Sequence, residues 1–542
     1  MTRRLVAGFG AAIAATIVVS VVVSSVGSPE REQMNMRHLQ NATFAPPPPT
    51  PAIGRVIATV WSDFWAPEGE GLRRSTLPTQ AGILWIALIV AVMVAFDFAR
   101  LSNPRNFELL GLLAIGFLLF NVMQFFALLG DATYFRVMDL VFSGIVGVSL
   151  ALMALAIWRA RHPHAADWRP NLPARALATL AMLLLSLNVA LALFTPPDDA
   201  GFYTNLGAQR LRERGRFPYG DPLLTNSAGA GYGPVLYLAH LPYQFILDPK
   251  PLNQSEPTRA DLAAGATYYL PPALATQLTT VTFHLLGVAA LIAIGRRLAG
   301  AQVGWALAAL YCSSAYVMGV GGPREAIGGM TFISHIAPPS VALLAFAALS
   351  RPMAAGALLV AAAATVFYPV LFVPAWLGHY WDRRPQAMRF VAGLVIAGLV
   401  IGVPVLMRSQ AIEGRSVLGT VIHESVGHHQ GTDTYGLSTF GFWGQRGGIR
   451  EWLRRPLAAG EFTTSPMFIL TIVPAALMFF LARRTTPQQL ALLTGALGIL
   501  AQWSKIHGTS VYVNWYYPFL LIGLFAGGRG TRPAGDSDQR SS

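Results

Sequence analysis

Residues 195 to 220 read TPPDDAGFYTNLGAQRLRERGRFPYG and follow directly on the apolar run ALATLAMLLLSLNVALALF. Two adjacent carboxylates, Asp198 and Asp199, stand at the mouth of an apolar segment, and arginine then recurs at 210, 212, 214 and 216. Pro196 and Pro197 end the preceding segment, so a helix is expected to start near Asp199. At about 100° per residue, Asp199, Tyr203, Gly207, Arg210 and Arg214 fall on one stripe, and Arg212 and Arg216 point away. The glycine permits a close approach. Such a stripe offers a carboxylate as general base toward an acceptor hydroxyl and two guanidiniums for a lipid phosphate. The plain alternative is that Asp198 or Asp199 caps the helix and the arginines are solvated.

Three further stretches carry chemistry-bearing types. In PYGDPLLTNSAGAGYGPVLYLAHLPYQ, which contains Tyr219 and Tyr232, turn signals lead into an aromatic, Pro-interrupted segment. Its Gly-rich run at 229–233 is not a nucleotide loop, because no strand precedes it and no Lys-Ser/Thr follows. In VIHESVGHHQG, His423 and His428 are five apart, about 140° on a helical wheel, so they do not make the one-faced pair of a zinc protease. Gly427 also interrupts. Glu424, His428 and His429 read instead as contacts to a sugar, and Trp443 with Phe442 as a stacking surface or as interfacial anchors. In KIHGTSVYVNWYYP, Lys505 and His507 suit a phosphate at the lipid level, or a snorkelling lysine. Arg324 and Glu325, with His335 at a helix entrance, form a weaker case of the same kind. Cys312 is the only cysteine, which excludes an intrachain disulfide and a cysteine metal cage. No cofactor is expected and no convincing metal site is visible, although a divalent ion stays open.

These residues need elements to hold them. The chain is 54% hydrophobic and only 12% charged, about half the charge of a soluble domain. Apolar runs of roughly 15–24 residues recur along its length, enough to cross or nearly cross a ~30 Å hydrocarbon core. The net charge of +13 is nearly all arginine, Lys250 and Lys505 being the only lysines. Much of it sits in short loops between apolar runs, which indicates positive-inside orientation rather than nucleic-acid binding.

Spans are expected at about 5–26, 81–98, 107–130, 137–158, 176–195, 272–295, 302–320, 336–350, 353–366, 369–381, 389–407, 465–482, 488–503 and 509–526. With Arg3 and Arg4 inside, alternation puts Arg100 and Arg105, Arg159 to Arg175, Arg296 and Arg297, Arg351, Arg383 and Arg384, and Arg483 and Arg484 in inner loops. Segments 27–80, 196–271 and 408–464 then lie on the outer face. The first holds the stiff linker FAPPPPTPAIG; the other two carry the candidate site residues. The N-terminal apolar segment is longer than a signal h-region and reads as an uncleaved anchor. The pair 353–366 and 369–381, split at Tyr368-Pro369, is either a shallow helical hairpin or one kinked helix. Residues 232–247 fit an interfacial helix.

The expected fold is an all-α polytopic membrane protein with about 13–14 transmembrane helices. Residues 1–175 form an N-terminal membrane block, 176–527 a second module with interfacial helices in its outer loops, and 528–542 a disordered cytoplasmic tail. The expected location is a bacterial cytoplasmic membrane, with both termini cytoplasmic.

Taken together, Asp198-Asp199, the following Tyr203, Gly215, Pro218 and Tyr219, the Tyr232-to-Pro234 entry, AAAATVFYPVLFVPAW and VNWYYPFLLIGLF resemble the GT-C class of integral-membrane glycosyltransferases. Within it they most resemble glycosyltransferase family 87, the polyprenol-phosphate mannosyltransferase-like proteins, over about residues 176–527. Family members commonly carry a Lys before the Tyr-Pro, where this chain has Val366-Phe367. The resemblance implies that a polyprenyl-phosphate-linked monosaccharide donates its sugar to a hydroxyl of a glycan or lipid acceptor on the outer face. An outer-loop aspartate, Asp199 before Asp198, acts as base in an inverting displacement. Arg210, Arg214, Lys505 and His507 neutralise the departing phosphate, and Tyr203, Tyr219, Tyr232, Glu424, His428 and Trp443 contact sugar or acceptor. Three rivals stand beside it, one of them a structural membrane subunit with the N-terminal four-span block as a docking surface. A transporter or flippase of lipid-linked sugars predicts ionisable residues or broken helices at mid-membrane depth; Asp97, Asp139 and His284 lie inside or near spans, none in an obvious pair. An O-antigen-ligase or polymerase-like enzyme would act on diphosphate oligosaccharides and use the HESVGHHQ segment.

Overall fold

The computed structural model describes residues 43–45, 80–125, 132–162, 168–194, 197, 199–221, 224, 230–247, 267–269, 272–321, 326–327, 329–427, 466–504 and 512–526. It is almost wholly helical. Among the described residues four helices are long and apolar enough to cross a membrane, over 142–161, 174–193, 273–299 and 384–407. Five further apolar helices are shorter, such as Ala301–Cys312 and Pro352–Ala363. The expectation of about 13–14 spans is finer than this, and two of the short helices show why.

The main helices are α1 (Gln80–Ala95), α2 (Pro104–Phe125), α3 (Ala132–Arg161), α4 (Ala174–Phe194), α5 (Asp199–Arg214), α6 (Pro234–Leu247), α7 (Ala273–Ala299) and α8 (Ala301–Cys312). They continue as α9 (Ile333–Ala347), α10 (Pro352–Ala363), α11 (Val373–Trp381), α12 (Arg384–Met407), α13 (Pro466–Leu481), α14 (Pro487–Ser504) and α15 (Tyr517–Phe525). The expected span at 302–320 is broken. Helix α8 stops at Cys312, and Ser314 starts a short helix by accepting a hydrogen bond from Val317 N. Carbonyls released inside an apolar bundle need partners, and neighbouring elements supply them. Asn188 donates to Cys312 O at 3.0 Å, Tyr517 to Leu310 O at 3.1 Å and Asn514 to Tyr316 O at 2.5 Å.

Between α10 and α11 the chain makes a 3₁₀ turn at Tyr368–Phe372. The Tyr380 hydroxyl donates to Leu349 O at 2.7 Å, so the exit of α11 lies beside the entrance of α10. Segment 352–381 is therefore a helical hairpin and not one kinked helix. At its tip, Thr365 O accepts from Gly233 N and Ala364 O from Val235 N, both at 2.9 Å. The unpaired carbonyls at one helix end meet the unpaired amides at the start of another. A Cβ on Gly233 would lie 2.1 Å from Ala364 O. Gly233→Ala is accordingly expected to cost about 2–3 kcal/mol, seen as a lowered melting temperature in detergent. An unchanged melt would mean that the joint does not hold the fold.

Residues 80–161 pack into the same bundle as the later helices. Tyr316 OH accepts from Gly116 N at 3.0 Å and donates to Leu112 O. Gln489 donates to Ala160 O at 2.7 Å. The division expected at residue 175 thus coincides with no gap in packing.

Two of the expected inner loops also meet. The Asp382 carboxylate accepts from Arg483 at 2.6 Å and Arg484 at 2.8 Å. These bonds hold the Asp382 carboxyl below its ordinary value. A depressed carboxyl stabilises the fold above its unfolded value, and that contribution is lost as pH falls through the folded one. A small drop in melting temperature is therefore expected below about pH 4, and Asp382→Asn should abolish that part of the pH dependence. On the expected outer side, β1 (Thr43–Ala45) pairs in parallel with β2 (Thr267–Tyr269), joining segments 27–80 and 196–271.

Candidate functional site

Helix α5 carries an unusually polar buried surface. Thr204, Asn205, Gln209 and Arg210 are all at most 2% exposed, and each has a partner, as buried polar groups require. Asn205 donates to Pro272 O at 2.9 Å and Thr276 to Gly201 O at 3.1 Å, fixing α5 to the start of α7. Gln244 donates to Asn205 O and Oδ1, both at 2.7 Å, fixing it to α6. Gly207 does permit the expected close approach: a Cβ there would lie 2.4 Å from the Tyr237 ring. The result is a rigid platform. Asp199 is its first residue, as the prolines predicted; the Asp199 side chain and all of Asp198 lie outside the described residues.

The arginine stripe is corrected. Arg210 turns inward and pairs with Asp221 at 2.8 Å, both side chains at most 9% exposed. Arg214, one turn on, is exposed. The helical wheel placed the two on one stripe, but Asp221 in the loop after α5 engages the first. Arg210 is thereby engaged by a carboxylate rather than presented to a ligand.

Three expected sugar contacts are also inside. Tyr203 is 3% exposed, Tyr232 8% and Tyr219 0%. The Tyr219 hydroxyl donates to Tyr232 O at 2.6 Å, and Tyr232 N donates to Tyr237 OH at 3.2 Å. Burial first, then the neighbouring Tyr237 and Glu424, pushes the Tyr219 phenol well above its ordinary value, so it stays a donor. These tyrosines are packed inside the fold rather than exposed to a ligand.

Over this knot lies the outer segment that follows α12. Phe217 N donates to Arg408 O at 2.8 Å and Gln410 N to Tyr219 O at 3.0 Å. Glu424, 5% exposed and on a π-helical turn over His423–Gly427, accepts from Gly220 N at 2.6 Å. Gly220 has φ +75°, and a Cβ on it would meet Gln410 O at 2.2 Å. Both features demand glycine. Two loops that span alternation had placed on one face are therefore bonded to each other. His428 and Trp443 lie outside the described residues.

A second aromatic group completes the region. Tyr368 stacks on Trp515 with centroids 3.9 Å apart and planes 11° apart. Tyr512 lies between Trp515 and His335, at 4.4 and 4.5 Å, and Trp515 donates to Ser334 O at 3.1 Å. Lys505, His507, Arg324 and Glu325 lie outside the described residues. Among the described residues no group of three or more His, Cys, Asp or Glu side chains is placed to hold a metal.

Sequence reasoning missed Asp221 and Tyr237. Asp221 sits between Gly220 and Pro222 and read only as a turn signal, and Tyr237 read only as part of an apolar face. Neither a family model, nor a curated protein, nor a solved structure matches the chain.

Proposed function

We propose that the protein transfers a monosaccharide from a polyprenyl-phosphate-linked donor to a hydroxyl acceptor, glycan or lipid, at the outer face of a bacterial cytoplasmic membrane, by an inverting displacement. One observation carries this reading. The loose motifs that prompted it are one another's packing partners: Tyr219 bonds to Tyr232, Gly233 bonds to the tip of the hairpin bearing Tyr368-Pro369, and Tyr368 stacks on Trp515. These contacts gather four of the motifs into one region of the bundle.

Asp199 is assigned the role of base, with Asp198 beside it. It takes the proton of the acceptor hydroxyl as oxygen attacks the anomeric carbon and the lipid phosphate departs with the bonding pair. From Asp199 to Arg214 the helix rises about 22 Å, too far for one to serve the acceptor and the other the leaving phosphate of a single sugar. Charge neutralisation at the departing phosphate is assigned to Lys505 and His507, as the resemblance implies. Arg210, paired with Asp221, positions the platform.

Native mass spectrometry of protein purified in mild detergent tests the substrate class. A retained polyprenyl-phosphate monosaccharide is the expected adduct. A retained diphosphate oligosaccharide would favour the ligase or polymerase chemistry. A second reading, transport of a lipid-linked sugar, draws on the helix break after Cys312 and on the buried His284, 3.4 Å from Asn188. Absence of any polyprenyl lipid, with a control enzyme loaded under the same conditions, would put transport ahead.

A further inference from the structure

Near the break in the span after Cys312, five buried polar atoms lack a hydrogen-bond partner among the described residues. They are Asn188 Oδ1, His284 Nδ1, the Tyr311 hydroxyl, Ser340 Oγ and the Tyr368 hydroxyl. Asn188, His284, Tyr311 and Ser340 are each 0% exposed, so bulk solvent cannot serve them. They come from α4, α7, α8 and α9, and Tyr368 from the turn between α10 and α11. His284 lies about 16 Å from the start of α7 and about 22 Å from its end, deep within the helix. Polar groups left unpaired there are costly.

The contacts gather these atoms. Asn188 Nδ2 lies 3.4 Å from His284 Nε2 and 3.0 Å from Cys312 O. The His284 ring stacks on Tyr311, with centroids 5.8 Å apart and planes 26° apart. Three residues further along α7, a Cβ on Gly287 would lie 2.5 Å from Ser340 Oγ. Tyr311 and Tyr368 are within electrostatic reach of each other.

Their hydrogen-bonding character is mixed. Asn188 donates to His284 Nε2, so the ring proton belongs on Nδ1 and that atom is a donor. Asn188 Oδ1 is an acceptor, and the three hydroxyls can be either. A bare cation would face the imidazole N–H, and an anion would face the amide oxygen. Water satisfies both.

We propose that Asn188, His284, Tyr311 and Ser340 hold a small cluster of ordered water inside the bundle, with Tyr368 at its edge toward the hairpin tip. A buried water takes about two to four polar partners, and the four helices supply them. Asn188, Tyr517 and Asn514 satisfy the backbone carbonyls at the broken span; the water satisfies the polar side chains gathered around it. His284 thereby has a role that needs neither a transported ligand nor sugar transfer.

Radiolytic hydroxyl-radical footprinting of the full-length protein in nanodiscs tests this, because radicals formed from ordered water oxidise the side chains beside it. Tyr316 and Tyr380 are buried controls whose hydroxyls are bonded to Leu112 O and Leu349 O. Tyr311 is expected to be oxidised several-fold faster than either, with His284 and Cys312 oxidised alongside it. Tyr311→Phe with Ser340→Ala removes two of the polar atoms and, among the described residues, no side-chain hydrogen bond. Oxidation of His284 and Cys312 should then be lost at an unchanged melting temperature. Yields should be equal in sodium chloride and in choline gluconate. A fall with sodium or with chloride would assign the site to that ion and overturn the proposal. Tyr311 oxidised no faster than Tyr316 and Tyr380 would overturn it whether or not the double variant folds. So would undiminished oxidation of His284 and Cys312 in a folded double variant. None of these outcomes bears on sugar transfer.

Discussion

Arg210→Ala should be among the most destabilising single substitutions in the chain, costing about 3–5 kcal/mol. The guanidinium is 2% exposed and its partner Asp221 9%. Truncating it strands a carboxylate that is only 9% exposed. The penalty arises from that unpaired charge rather than from the intrinsic worth of the ion pair. Asp221→Asn in the same background should therefore recover much of the loss, although it restores no bond. Thermal unfolding in a fixed detergent distinguishes this from a ligand-contact role. A surface arginine would leave the melt unchanged and lower only affinity for the lipid.

Asp199→Asn should lower the rate of sugar transfer by about 10²–10⁴-fold with the melting temperature near that of wild type. The amide keeps the size of the side chain and any capping bond its oxygen makes, and loses only the capacity to accept the acceptor's proton. Asp198→Asn should have a smaller effect, because Asp199 and not Asp198 shares the helical stripe of Tyr203 and Gly207. Glu424→Gln should behave in the opposite way. Its carboxylate is spent on Gly220 N at 2.6 Å, so its loss should weaken the junction between the two outer loops. The rate per folded molecule should change little.

Much of the scaffold was legible because it rests on local rules. The prolines at 196 and 197 marked the start of α5, Gly207 marked a close approach, and Tyr368-Pro369 marked the hairpin turn. The basic flank Asp382-Arg383-Arg384 favoured a hairpin that returns to its starting side, and the Tyr380–Leu349 bond agrees. What the sequence could not reveal was the neighbour of each face. A helical wheel gives Arg210 and Arg214 the same direction, yet the first is buried against Asp221 and the second is exposed. The break after Cys312 was hidden for a similar reason. Ser313 and Ser314 are tolerated within an apolar helix, and only Asn188, Tyr517 and Asn514 from distant positions make the interruption affordable. Tyrosines singled out for sugar contact proved to be buried supports, because residue type alone does not distinguish a hydroxyl facing a ligand from one facing a carbonyl.

The most direct test of outer-face glycosyl transfer is to reconstitute the purified protein in sealed vesicles. A polyprenyl-phosphate monosaccharide with labelled sugar is supplied, and its transfer to a hydroxyl acceptor presented on one side at a time is measured. The expected result is transfer only with acceptor on the side of α5, reduced by at least a hundredfold in Asp199→Asn. Transfer that persists in Asp199→Asn and fails in a stably folded Glu424→Gln would move the reacting centre to the other end of α5. Movement of the labelled lipid across the bilayer without any transfer would contradict the enzyme and establish a transporter.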